Sequence, residues 1–238
     1  MLAALLVGYA LVVHAQAAPR WRVACLNLAL VLLAACFLTP LHTLAMHRLL
    51  SAHLLQNVVL AEWAPALLVL SLPPAAAARI VRLPGLRLLT RPLVALPLWL
   101  ATYFVWHLPW AYDTALEHPH SLIHLEHASY LVSGCLLWWP AIHGAPHRLA
   151  AGAKAVYLFG AFVLASPLGL LLALLPTPIY DFYERAPDLW GLSDLADQQI
   201  AGVTMAAEQA VVFFAVCAVY FARFLREEES RGAFRPSA

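Results

Sequence analysis

Apolar stretches about 20 residues long recur along the whole chain, and no other feature limits its fold as strongly. A helix rises 1.5 Å per residue, so about 20 residues cross the roughly 30 Å hydrocarbon core of a bilayer. Such stretches fall near residues 1–16, 23–41, 49–72, 92–111, 121–142, 152–175 and 198–224, each parted from the next by proline, histidine or charge. In lipid every backbone N–H and C=O must find a partner within the segment, which for runs of this length means helix. The expected fold is therefore all-α, a polytopic membrane bundle of seven transmembrane helices. Residues 1–226 form the single helical domain and 227–238 a short tail. Composition agrees: 63% of the 238 residues are hydrophobic and 11% charged, against roughly 25% charged in a soluble protein. A net charge of +1 leaves no basis for nucleic-acid binding.

Charge placement supplies an orientation. With seven spans and the N-terminus outside, Arg20, Arg22, Arg79, Arg82, Arg87, Arg91, Arg148, Lys154, Arg223, Arg226, Arg231 and Arg235 all fall on the cytoplasmic side. Arg48 and Arg185 are left outside. This is the positive-inside pattern, and it places the C-terminus in the cytoplasm. Residues 1–17 end in Ala-Gln-Ala, which imitates a cleavage site, but the positive n-region of a signal peptide is missing and basic residues follow the apolar run instead. The segment is read as a retained first span.

Histidines gather at the outer end. His42, His47, His53, His107, His118, His120, His124 and His127 lie at the outer ends of spans 2 to 5 or in the loops that join them. His120, His124 and His127 are spaced by 4 and 3, so they share a helical face with Glu117 and, deeper, Cys135. His53 enters span 3 with Gln56 and Asn57 one turn on. Neutral imidazole binds copper, zinc and iron, and thioether sulfur favours Cu(I), so Met46 beside His47 and His42 adds a preference for copper. Loop histidines are ordinarily just solvated, which is the competing reading for His42, His118 and His120. His53, His124 and His127 lie within spans, where polar groups face a functional interior. Glu126 is placed by α-helical spacing away from His124 and His127, either pairing with a neighbouring helix or orienting a ligand.

Glu62 and Glu208 lie near the middle of spans 3 and 7. A structural interhelical hydrogen bond and a proton or cation relay are both open for them. Helical spacing sets Glu62 opposite His53, in a different site. Cys25, Cys36, Cys135 and Cys217 show no metal-ligand spacing. Trp99, Trp106, Trp110 and Trp190 toward the outside and Trp21, Trp138 and Trp139 toward the inside read as aromatic belts. No phosphate loop, nucleophile elbow or metalloprotease motif is present, and no enzymatic activity is expected.

The ordered strings SAHLLQ, APALLVLSLP, WHLPWAYDTAL, HSLIHLEH, GCLLWWP, PIYDFY and LWGLSDLADQQIAG resemble the CtaG-like membrane family associated with assembly of caa-type cytochrome c oxidase, over residues 45–224. The resemblance implies a non-enzymatic factor in the bacterial cytoplasmic (inner) membrane that assists a haem–copper oxidase subunit, with copper as the cofactor. It carries metal-site roles onto His53, His107, His124 and His127, with His47, Met46 and His120 as possible additional ligands. Asp197 and Gln198 match as supporting polar residues, beside Gln56, Asn57 and Glu126. One departure stands out: the family's HxxxH in span 3 reads His53 and Asn57 here, so a site built with the second histidine does not transfer unchanged. Two function classes follow. In one, the outer histidines acquire copper for the oxidase; in the other, a membrane haem-binding redox protein or metal-ion transporter uses the same side chains.

Overall fold

The computed structural model describes residues 18–185 and 189–233. The expected span at 1–16 lies outside them. Apart from one isolated bridge between Leu189 and Leu192, the regular structure among the described residues is helical.

Helix α1, Arg20–Leu38, ends earlier than the expected limit of 41. Thr39 is extended, as a residue before proline must be, and Pro40 starts a separate short helix, α2, at Pro40–His47. The Thr39 hydroxyl donates to the Ala35 carbonyl at 2.6 Å and accepts from the Leu41 N–H. His42, Met46 and His47 thus ride on α2 instead of hanging in a loop.

The next span runs from Leu50 to Ser71, as expected, but in three parts: α3 (Leu50–Val58), a π turn (Val59–Trp63) and α4 (Ala64–Ser71). Pro65 explains the middle part. It has no N–H for the Ala61 carbonyl four residues back, and its ring collides with that carbonyl, so the helix widens locally. The Trp99 indole donates to the freed Ala61 oxygen at 3.3 Å.

Short helices α5 (Pro74–Ile80) and α6 (Leu86–Leu89) lead to α7 (Pro92–Trp106). The expected span 92–111 is broken here: α8 (Pro109–Glu117) leaves α7 at 72°. Leu108 precedes a proline and is extended, which stops the helix, and His107 sits at the elbow. Helices α9 (Leu122–Ile142), α10 (Ala151–Leu174), α11 (Asp181–Glu184) and α12 (Asp194–Ala233) complete the chain. Residues 227–233, read above as tail, continue α12.

Four of these segments are long and apolar enough to cross a membrane, at residues 20–38, 50–71, 151–174 and 194–231, and the bent α7–α8 pair would be a fifth. Helix α9 is also long enough, yet His124, Glu126, His127 and its tryptophans lower its hydropathy. It can carry them because much of it faces protein: Glu126, Tyr130, Leu137 and Trp138 are all buried.

Small residues let the backbones meet. A Cβ on Gly202 of α12 would lie 2.4 Å from the Ala173 nitrogen and 2.6 Å from the Gly169 oxygen of α10, the close contact by which helices associate in lipid. On Gly134 of α9 it would lie 2.3 Å from the Ala61 oxygen of the π turn. Three tryptophans leave the expected belts: Trp99, Trp138 and Trp139 are core residues, while Trp21, Trp110 and Trp190 are exposed. Stacking explains the burial, since Trp138 lies parallel to Phe213 at 5.7 Å and Trp99 stacks on Tyr103 at 5.4 Å.

Candidate metal centre

One turn into α3, His53 faces Glu126 and His127 of α9. The possible ligand atoms of these three side chains lie within 4.8 Å of one another, and His53 Nε2 is 3.5 Å from Glu126 Oε1. All three residues are buried.

Glu126 corrects the expectation from helical spacing. Histidine periodicity selects the stripe 120–124–127, but the side of α9 that packs inward carries Ile123, Glu126, His127 and Tyr130. The seam is set by apolar contact with neighbouring helices, and it admits Glu126 on one flank and His127 on the other. His124 and His120 are left exposed at its edge.

The chain fixes these donors by hydrogen bonds. The Tyr183 hydroxyl donates to the Ala45 carbonyl at 2.6 Å, so toward His53 Nδ1, 3.1 Å away, it can only accept. The proton of His53 is therefore on Nδ1, and Nε2 presents its lone pair to Glu126 and His127. Asp113 holds Tyr183 in place by accepting from the Asp181 and Phe182 N–H groups at 3.2 and 3.3 Å. Asn57 donates its amide to Glu126 Oε1 at 2.9 Å. In this chain, then, the position that departs from HxxxH orients a carboxylate.

Burial without partners sets this group of side chains apart. His53 Nε2, His127 Nε2, Glu126 Oε2 and Asn57 Oδ1 are buried and lack hydrogen-bond partners. Buried polar atoms are normally paired, and a buried carboxylate needs a cation or donors to offset its desolvation. A metal cation would accept the lone pairs of the two Nε2 atoms and offset the carboxylate charge. Ligated at about 2.0–2.2 Å, three such donors would stand roughly 3.4 Å apart in a tetrahedral shell, which side-chain rotations reach from the observed spacing. Two imidazoles and a carboxylate suit Zn2+, Cu2+ or Fe2+.

The other expected ligands are arranged around this centre. His107, at the α7–α8 elbow, donates from Nδ1 to the Tyr103 carbonyl at 2.7 Å, and its Nε2 is buried without a partner. It is not part of the three-residue group. Tyr112 lies beside both rings, 6.3 Å from His107 and 5.0 Å from His53. His42, Met46, His47, His120, His124 and His127 line one open cavity of about 1120 Å3, floored by Phe37, Ile123 and Leu131. The cavity reaches the centre through His127, against which Phe37 packs edge-on at 5.3 Å. Burial, and then the imidazoles of His53, His47 and His124, hold the His42 ring below the ordinary histidine pKa, so it is a neutral donor at neutral pH.

Three supporting residues do structural work. Asp197 of α12 caps α3 from another helix, accepting from the Leu50 N–H at 2.6 Å and from the Ser51 N–H and hydroxyl. Gln198 accepts from the Ile179 N–H at 2.9 Å and donates to the Thr177 carbonyl at 3.2 Å. Gln56 donates to the Cys36 carbonyl. Glu62 and Glu208 lie apart from the histidines, near Trp63, Tyr103 and Gln209. Sequence reasoning missed Tyr183, Tyr112 and Gln209. PIYDFY already held Tyr183 as part of a recurring string, but nothing in its spacing tied it to His53.

A family model described as cytochrome c oxidase caa3 assembly factor (Caa3_CtaG) matches residues 4–227. The chain belongs to this family. Comparison with curated proteins and with solved structures returns no match. The caa3 assembly-factor match spans every residue assigned to the centre.

Proposed function

We propose that this caa3 assembly factor holds copper between His53, Glu126 and His127 and passes it to a haem–copper oxidase subunit in the same membrane. The carrying observation is the convergence of three buried donor side chains, with Nε2 of both histidines and one oxygen of Glu126 left unpartnered, set by Tyr183 and Asn57. His107, across Tyr112 from His53 and with its Nε2 unpartnered, is a further donor at the elbow. His42, Met46, His47, His120 and His124 on the cavity wall form the route of exchange, one thioether and four imidazoles that accept and release the ion in steps. Transfer by ligand exchange needs no catalysis. The seven-span topology, with the histidine end facing outside the bacterial inner membrane, belongs to the same proposal and rests on the distribution of arginines.

Haem suits the trio less well. Axial ligands of a bis-histidine haem stand on opposite faces of a macrocycle, whereas these three side chains converge on one point. A transport route through the bundle would have to pass Trp99, Trp138 and Phe213, which fill the interior near the π turn.

The test is the copper-to-haem ratio of the terminal oxidase purified from cells lacking this chain under limiting copper, and from the same cells carrying the wild-type chain or H53A or H127A. A copper-poor oxidase with normal haem, restored by wild type and by neither variant, is the expected result. Full restoration by both variants would refute the proposed centre.

A further inference from the structure

A second cluster, independent of the metal centre, lies where the π turn meets α12. Two pairs of adjacent residues clasp each other across the helices. Gln209 donates its amide to Glu62 Oε1 at 2.9 Å, while the Trp63 indole donates to Glu208 Oε1. This crossed arrangement sets the two carboxyl groups close together. Glu62 is completely buried and Glu208 half-buried. The second oxygen of each, Oε2, is buried and has no donor. From a third helix, α7, the Tyr103 hydroxyl accepts from Gln209 at 2.9 Å; it is the titratable group that α7 turns toward the pair. The aromatic neighbours one turn further along α12, Trp99 and Trp138 around Phe213, carry no charge.

Like charges held close together in an apolar interior are strongly disfavoured, so carboxyl groups sharing a site keep a proton between them. No lysine, arginine or histidine contacts either group among the described interactions to take its place. The π turn is the device that builds the pair: by widening the helix at Pro65 it sets Glu62 against α12.

We infer that Glu62 and Glu208 form a proton-binding site in the interior of the bundle, holding one shared proton. The ligand is the proton itself, and Glu208 is the member through which it exchanges, because Glu62 is sealed. The site is distinct from the metal centre in residues, donors and ligand.

Infrared difference spectroscopy on the full-length protein in lipid nanodiscs tests this. Wild type minus E62Q/E208Q should show a protonated-carboxyl C=O band that shifts to lower frequency in D2O. The conservative variant W63F keeps both carboxyls and removes one donor, so it should move that band without abolishing it. Should the double variant fail to fold, the W63F shift decides alone. An unchanged spectrum in every folded variant would overturn the inference. Loss of the wild-type band on adding Na+ or K+ would overturn it too, in favour of a cation site.

Discussion

Asp197 and Glu126 are both buried carboxylates at the histidine end of the bundle, and they have opposite hydrogen-bond accounts. Asp197 is saturated by the first N–H groups of α3 and the Ser51 hydroxyl. These are donors that a helix N-terminus leaves free and that a side-chain oxygen ordinarily caps. Glu126 receives one bond from Asn57, and its second oxygen, with the Nε2 atoms of His53 and His127, has none. A group whose bonds are complete is building the fold; a group fixed on one side and bare on the other is what the proposed metal centre would use. Both kinds stood together in the family strings, and saturation separates them.

The separation can be broken most severely by removing ligands. H53A or H127A should lower copper affinity of the purified protein by more than about 100-fold, beyond the loss typical of groups that only orient a ligand, while the melting temperature of the metal-free protein stays near wild type. A retained affinity in either variant would put the ion elsewhere. D197A should do the reverse. Losing charge-assisted bonds to a helix start costs about 2–3 kcal/mol, read as a lower denaturant midpoint, with copper stoichiometry of the folded fraction unchanged.

Y183F sharpens the comparison because it touches neither ligand nor cap. Without the hydroxyl, the Nδ1 tautomer of His53 is no longer enforced, and copper affinity should fall by about 10–100-fold; an unaltered affinity would remove Tyr183 from the account. Acidification works in the same direction, since the imidazoles must be neutral to bind and protons compete with the ion as pH falls. The smallest effect is expected at the exposed Glu117–Arg185 pair, 3.2 Å apart. E117Q should change stability by less than about 1 kcal/mol and leave binding intact, which a thermal melt and a titration would verify.

Much of the helical architecture was legible because lipid leaves few choices: apolar length and prolines located the helix from 50 to 71 and that near 152–175 almost to the residue, while the last helix extends beyond the expected 198–224 at both ends. What periodicity could not convey was local geometry. The π turn follows from Pro65 meeting Ala61, yet a proline alone permits several distortions. The α7–α8 break follows from Pro109, and it displaced His107 from a helix end to an elbow. At the metal centre, His53 and His127 were visible as polar residues within spans. Helical spacing sets Glu126 away from His124 and His127, whereas the inward face of α9 is defined by Ile123 and Tyr130 and takes Glu126 in. Tyr183 and Asp113 reach the centre through tertiary contacts spanning 130 and 69 residues of chain, a separation at which spacing carries no information.

X-ray absorption at the copper edge, on full-length protein loaded with one equivalent of copper, tests the central claim most directly. The account predicts a shell of light atoms at about 2.0 Å, bearing the outer-shell scattering of two imidazoles and lost in H53A/H127A. A shell dominated by sulfur, or one identical in wild type and the double variant, would contradict it.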